Sequence, residues 1–419
     1  MSDEADAIAL AVLDEFAKLP AKRKPAVRDN GLHEWVPLSG IVAKGPNSLK
    51  CLALATGMKC LPASKLPEAN GIAIHDWHAE ILAIRAFNLF ILHECRRLAR
   101  GEESEYLLRR PSTPEQPQPF IWNPDFTLHM YCSEAPCGDA SMELIMSAQS
   151  DASPWDVPPS LSSTPPPTET ETAATTSTTN TPHTPNPPTT LPGRAFFSHL
   201  GIVRRKPSRG DAPPSLSKSC SDKLALKQCT SLLSSLPSLF LPPVYLTTLV
   251  LPHSQFSAPA CHRCFSPSPG GRMAPLAGRT WEDYGFVPFA IRTTGEEFGY
   301  SKRAVVGRAE RVGASNLAVA WTAGEGGVEE GIIGGVLQGR KKVEVKGASA
   351  VSRRRMWEVA KEVGALLGDG EVRVVLEGRT YGEVKGAGAL AVRRQVKEEV
   401  WRDGLRGWVR NQGDDGFGI

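Results

Sequence analysis

Three residues in this chain have types and an order that point to hydrolytic zinc chemistry. The stretch "IHDWHAEILAIR" (Ile74 to Arg85) carries His78 and Glu80 two positions apart, and "APCGDA" carries Cys137 directly after Pro136. A hydrolytic zinc ion takes three protein donors and keeps a fourth position for water, whose pKa it lowers toward neutrality. An imidazole and a thiolate are two such donors. A nearby carboxylate that is not a ligand can carry the proton, and Glu80 is the candidate. Each signal is weak alone, because a His-x-Glu pair recurs by chance and a helix-starting Cys is more often a small buried residue. The weight lies in their order and placement. Each sits where a strand-like or turn segment gives way to a helical run, and an electropositive helix start favours a thiolate.

The third donor is not adjacent. A second Cys three positions after Cys137 would complete the pattern, but Ala140 stands there. Cys220 in "KSCSDKLAL" opens a helical run beside a basic stretch and is the best candidate. Cys132 is a second candidate, although it lies inside a strand-like run whose side chains face a core. Cys261 and Cys264 in "CHRC" have metal-like spacing, with no matching second pair.

The elements that must position these residues follow from periodicity. Residues 1–30 read as a helix and a basic turn, "AKRKPAVRDNG". "LSGIVAKG" and "LKCLALATGMKCLP" alternate like strands between turn residues. A helix follows His78 to about Arg100, and "FTLHMYCSEAPCGDASMELIMSAQS" reads as strand, turn, helix. Residues 151–192 are Pro/Ser/Thr-rich with few large apolar side chains, so they predict a disordered insertion. Beyond it come a basic loop, the Cys220 helix, strand-like runs ("NLAVAWTAG", "GVEEGIIGGVLQG", "EVRVVLEG"), a helix at 349–366 and a basic closing helix bearing Trp. The predicted division is 1–30 as an N-terminal helix and turn, and 31–419 as one catalytic domain interrupted at 151–192.

Composition sets the outer limits. The 419 residues are 41% hydrophobic and 22% charged with a net charge of +3, so any polyanion surface must be a local patch. No signal-like opening and no uninterrupted apolar span occur, and nine cysteines are an odd number. The expectation is a cytoplasmic or nuclear chain with reduced thiols or metal ligands, no membrane and no obligate protein partner.

The successive motifs "LATGMKC", "GIAIHDWHAEI", "PCGDAS", "SCSDKLAL", "PPVYLTTLVLP" and "NLAVAWTAG" resemble those of the editing-type adenosine deaminases that act on RNA. The resemblance runs from about residue 38 to 412. It implies an α/β fold: a cytidine-deaminase-like core with a mixed β-sheet and surrounding helices, enlarged by a C-terminal α/β extension. It implies Zn2+ held by His78, Cys137 and Cys220, with Glu80 moving protons and Asp76 orienting a ligand from behind. It also implies the reaction. The adenine leaves its stack, water displaces the amine at C6, and Glu80 passes a proton to N1 and then to the departing ammonia.

Two features favour the tRNA-specific branch over the duplex editors. Only 77 residues precede His78 and the catalytic fold largely accounts for them, which leaves no room there for a double-stranded-RNA-binding domain, and Ser141 follows "PCGDA" where duplex editors tend to carry Arg. The implied substrate is the adenosine immediately 3′ of the anticodon in alanine tRNA. A catalytically silent RNA-binding relative, or a deaminase of another RNA or nucleoside, are the alternatives. The basic loop residues Arg204, Arg205, Lys206 and Arg209, with Lys59, are the expected RNA contacts. The family also buries inositol hexakisphosphate, for which Arg85, Lys223, Lys227, Arg353, Arg354, Tyr381, Lys385 and Trp408 are the matching candidates. Leu226, Lys227 and Ile84 depart from the duplex editors there, which implies a rearranged cage.

Overall fold

A computed structural model describes residues 3–111, 113, 117–149, 153, 191–193, 196–206, 212–340 and 342–419. Most of the expected 151–192 insertion lies outside them. Thirteen segments carry the architecture. They are α1 (Glu4–Lys18), β1 (Leu38–Lys44), β2 (Leu49–Thr56), α2 (Ala79–Ala99), β3 (Thr127–Cys132), α3 (Cys220–Thr230), β4 (Thr248–Pro252), β5 (Ala290–Thr294), β6 (Ala318–Thr322), β7 (Glu329–Ile333), β8 (Val336–Leu337), α4 (Arg353–Leu367) and α5 (Ala391–Asp403).

The strands form one eight-stranded mixed sheet in the order β5-β4-β3-β1-β2-β6-β7-β8. β5, β4 and β3 run parallel, and every other neighbouring pair is antiparallel. Alternation sorts the side chains between the two faces. Leu38 and Val42 of β1 join one apolar cluster, while Ile41 and Ala43 join the other.

α1 closes the first face. Its Ala5, Ile8, Ala9, Val12 and Phe16 recur at helical spacing and are all buried against the sheet. Burial of the three larger side chains stabilises the docking by about 1.5–3 kcal/mol each. α2 covers the second face and is apolar nearly all round, because the sheet lies on one side and α4 on the other. No helix among the described residues is long and apolar enough to cross a membrane.

One expected strand is a helix. "EVRVVLEG" contains the short helix Glu371–Leu376. Its valines favour strands in isolation, but it has no strand to pair with. It packs instead against α4, where the Trp357 indole donates to the Leu376 carbonyl at 3.1 Å.

Candidate metal centre and active site

Three segment ends converge on one point. His78 is the N-cap of α2, and the Ala79 N–H beyond it donates to the Gly57 carbonyl at 2.8 Å, tying the helix start to the end of β2. Cys137 follows β3 on the turn before the helix Met142–Ser147. Cys220 is the first residue of α3, whose N-cap Ser219 accepts from the Asp222 N–H. Gly138 allows the last two to meet. Its φ is 102°, and a Cβ there would lie 2.3 Å from Ser219 Oγ, so only glycine suits the turn.

His78 Nδ1 lies 3.7 Å from Cys137 Sγ, and the Cys220 N–H points at the same sulfur at 3.4 Å. One donor atom from each of His78, Cys137 and Cys220 lies within 4.8 Å of the others, the one such group of three found among the described residues. One nitrogen and two sulfurs at this spacing fit a tetrahedral zinc ion with one position left for water or substrate. Cys132 is buried in β3 and belongs to the core cluster rather than to this group. Cys261 and Cys264 are buried on a separate helix, where Cys264 lies 3.3 Å from Asp139 Oδ2.

Glu80 sits two residues into α2 and is 5% exposed. Burial, then the neighbouring Cys137, pushes its carboxyl above the usual range, against His78 and Lys206. A raised carboxyl binds its proton more tightly than an ordinary one, which suits a group that must both take up and give up a proton. Cys137 is shifted the other way. A hydrogen bond from Cys220, helped by Lys206 and His78, outweighs burial and pulls the thiol well below its usual range.

Asp76 and Lys206 form a buried ion pair behind this centre. Lys206 Nζ lies 3.0 and 2.8 Å from the two Asp76 carboxylate oxygens and 3.1 Å from Cys220 Sγ. Asp76 also accepts from the His78 N–H at 3.1 Å, from Ser217 Oγ at 2.8 Å and from Lys223 Nζ. Burial raises the Asp76 carboxyl, but Lys206 and Lys223 overcome it and hold the group well below the carboxylate range. Asp76 therefore reaches two of the candidate ligands indirectly, through the backbone of His78 and through the ammonium beside Cys220.

This geometry corrects part of the RNA-contact expectation. Lys206 is 4% exposed and Arg204 is fully buried, with its guanidinium donating to the Phe196 and His199 carbonyls. Neither faces a macromolecular ligand. A lysine in a basic loop reads as surface because its carboxylate partner is 130 positions away in the chain. Arg205 is partly exposed, Lys59 is exposed and donates to Asn316 Oδ1, and Arg209 lies outside the described residues.

The polyanion candidates, Arg85 on α2 and the others from residue 223 onward, have defined partners. Arg85 donates to the Val351 carbonyl, Lys227 to the Leu232 and Leu233 carbonyls, and Arg354 to the Gly418 carbonyl. Arg353 pairs with Asp414, and Lys223 is held by Asp76 and Ser217. Lys385 lies over the Tyr381 ring, which stacks on Phe417, while Trp408 stacks on Trp401 with Lys218 on its face.

Two further cations belong with them. Arg393 is 4% exposed and donates to the Thr230 and Leu233 carbonyls. Lys397 is held well below the lysine range by burial and then by Arg393, Lys385, Lys227 and Arg410, all of one sign. Their four-residue spacing on α5, beside the buried Val396 and Val400, was the signal that could have found them.

Comparison with known proteins identifies the family. The adenosine-deaminase (editase) domain model matches residues 53–412. The chain is 34% identical over 420 residues to tRNA-specific adenosine deaminase 1 of Schizosaccharomyces pombe, covering 99% of this chain and 97% of that protein. The Saccharomyces cerevisiae protein of the same name is 32% identical over 251 residues, 59% of this chain and 58% of the relative. The Homo sapiens one is 30% identical over 155 residues, 33% and 29%.

Proposed function

The chain belongs to the adenosine-deaminase (editase) domain family and is an enzyme that deaminates adenosine, and from that premise we propose that it converts adenosine to inosine in tRNA, at the position 3′ of the anticodon of alanine tRNA. The observation that carries this reading is the convergence of His78, Cys137 and Cys220 beside a buried Glu80. The near full-length likeness to a protein named for tRNA supports the substrate class. Arg205 and Lys59 remain the proposed contacts to its phosphates.

His78, Cys137 and Cys220 would hold zinc, which when bound supplies a Lewis acid that activates water. The chain's own groups do the rest. Glu80 protonates N1 of the adenine and later the leaving amine, so that water and the 6-amino group exchange as C6 oxygen and ammonia. Its carboxyl, raised by burial and by the neighbouring Cys137, is shifted in the direction a proton carrier needs. Lys206 would stabilise Cys220 as a metal-bound thiolate from behind, and Asp76 keeps that ammonium in place.

Inositol hexakisphosphate is the second ligand we propose. Like-charged groups packed together are costly unless an anion lies among them. Lys227, Lys385, Arg393 and Lys397 form such a group, with Arg85 and Arg353 beside it, so the residues fit a buried polyanion. Lys223 and Arg354 have their own partners at Asp76 and at Gly418 and would sit at the edge of such a cage.

Sequencing alanine tRNA after incubation with the pure protein, beside Glu80→Ala, tests the activity. Inosine next to the anticodon is expected only with the unsubstituted protein. No inosine from that protein refutes the substrate, and equal activity in Glu80→Ala refutes the proton carrier.

A further inference from the structure

Two basic stretches more than 300 positions apart in the chain lie side by side. The turn "AKRK" meets the segment "QGRKKVEVK" through Arg23, whose Nη1 donates to Gln338 Oε1 at 3.0 Å and whose Nη2 donates to the Glu329 carbonyl at 3.2 Å. Arg23 itself is balanced by Glu329 at 3.3 Å. Lys22, Arg340, Lys342 and Lys346 are exposed, and none has an acidic partner among the described residues. A Cβ on Gly347 would lie 3.4 Å from Arg340 Cβ, which places Arg340 beside Lys346. Glu344 is the exposed acid within the run, so the patch keeps a clear positive excess.

This patch is attached to the strand-to-helix segment that carries the catalytic His. The Ile74 N–H donates to the Gly335 carbonyl at 2.8 Å. A Cβ on Gly335, whose φ is 86°, would lie 3.2 Å from the Trp77 ring, so the β7–β8 turn is seated on residues 74–77, just before His78. Five residues from Gly335 to Arg340 span at most roughly 18 Å. Arg340 therefore lies within about 18 Å of the turn seated on the His78 segment, a distance one folded RNA spans. The exposed apolar side chains nearby are Ile333 and Val345, which form no continuous face of the kind that enters a bilayer.

We propose that Lys22, Arg340, Lys342 and Lys346 form a second docking surface, which holds the phosphate backbone of the RNA while its target nucleotide occupies the pocket. The inference rests on the tRNA reading and adds where the body of that RNA is gripped. Such contacts are electrostatic and independent of sequence. They act on binding and leave the chemical step alone.

The test is the full chain carrying Lys22→Gln, Arg340→Gln, Lys342→Gln and Lys346→Gln together. Affinity for transcribed alanine tRNA is measured across a salt series, and deamination kinetics are measured at saturating tRNA. The expected result is a log–log salt slope shallower by about three, from about 0.7–0.9 per lost phosphate contact. KM should rise at least about tenfold with kcat unchanged. If the fourfold variant does not fold, Arg340→Gln with Lys342→Gln is read for a slope change of about 1.5.

An unchanged slope and KM in a folded variant overturn the proposal. So does lost capture by vesicles of equimolar phosphatidylserine and phosphatidylcholine with the RNA slope intact. The parent's inosine assay is scored separately. An inactive parent removes the tRNA reading, while the salt slope on any RNA still decides whether this surface binds phosphates.

Discussion

Replacing Asp76 by Asn keeps the shape of the side chain and removes its charge. The carboxylate is 4% exposed and accepts from Lys206, Lys223, Ser217 and the His78 N–H. An amide oxygen can keep part of that set but cannot balance two ammonium groups. The Lys223 side chain is 20% exposed and can turn toward water, whereas that of Lys206 is 3% exposed and cannot. The main loss is therefore one buried cation left without its carboxylate, with the Cys220 sulfur as its remaining side-chain contact near 3.1 Å. Breaking a buried pair in this way costs about 3–5 kcal/mol. At about 2.1 cal/mol/K of unfolding entropy per residue, a chain of this length loses roughly 1 °C of melting temperature per kcal/mol, so the midpoint should fall by about 4 °C.

The same change has a pH signature. The folded Asp76 carboxyl lies below its unfolded value, so its contribution is present above about pH 4 and is lost as the pH falls through the folded value. Parent and Asp76→Asn should differ at pH 7 and converge in acid. Calorimetric melts on Asp76→Asn, Lys206→Met and the double variant complete the test. The double variant should be more stable than the sum of the single losses by more than about 1 kcal/mol, because it leaves no unpaired charge. A single variant melting within about 1 °C of the parent, or strict additivity, would refute the buried-pair reasoning.

Three other outcomes follow from the same structure. Cys220→Ala should lower bound zinc at least about tenfold by elemental analysis, while Cys132→Ala leaves it unchanged; zinc retained in Cys220→Ala would remove Cys220 from the ligand set. The Glu134 carboxyl is pushed up to about 7 by burial, against the Lys302 N–H. The folded protein then holds a proton that the unfolded chain loses above about pH 4.5, so stability falls as the pH rises toward 7. Glu134→Gln should be more stable than the parent by about 1–3 kcal/mol at pH 8 and no more stable at pH 4, read from denaturant midpoints; a constant difference argues against the shift. Lys397→Met should lower the inositol phosphate released on denaturation, measured by phosphorus analysis, and an undiminished yield places that lysine outside any polyanion cage.

What could be read from the sequence divides by the range of the interaction responsible. The helix starts at His78 and Cys220, the alternation in β1 and β2 and the apolar stripe of α1 depend on neighbours two to four residues away. Each is visible in a short window. "EVRVVLEG" was misread because its local preference is real but no strand edge was within reach, a fact of tertiary packing. The metal group sits between these cases. Cys137 and Cys220 are 83 positions apart, yet each carries its own local mark, Cys220 a helix start and Cys137 the turn that leads from a strand toward a helix.

Lys206 carries no such mark. Its role depends on Asp76, a partner that no window can contain, and a cationic loop looks the same whether it meets RNA or a buried carboxylate. Charge balance decides between the two once burial is known. Lys206 is inside, with an acid and a thiol at hydrogen-bond distance, so its charge is consumed by the protein. Lys22, Arg340, Lys342 and Lys346 are outside and form no ion pair among the described residues, so their field extends into solvent. The rule that removes Lys206 from the RNA surface is the one that directs attention to the four cations around Arg23 and Gln338.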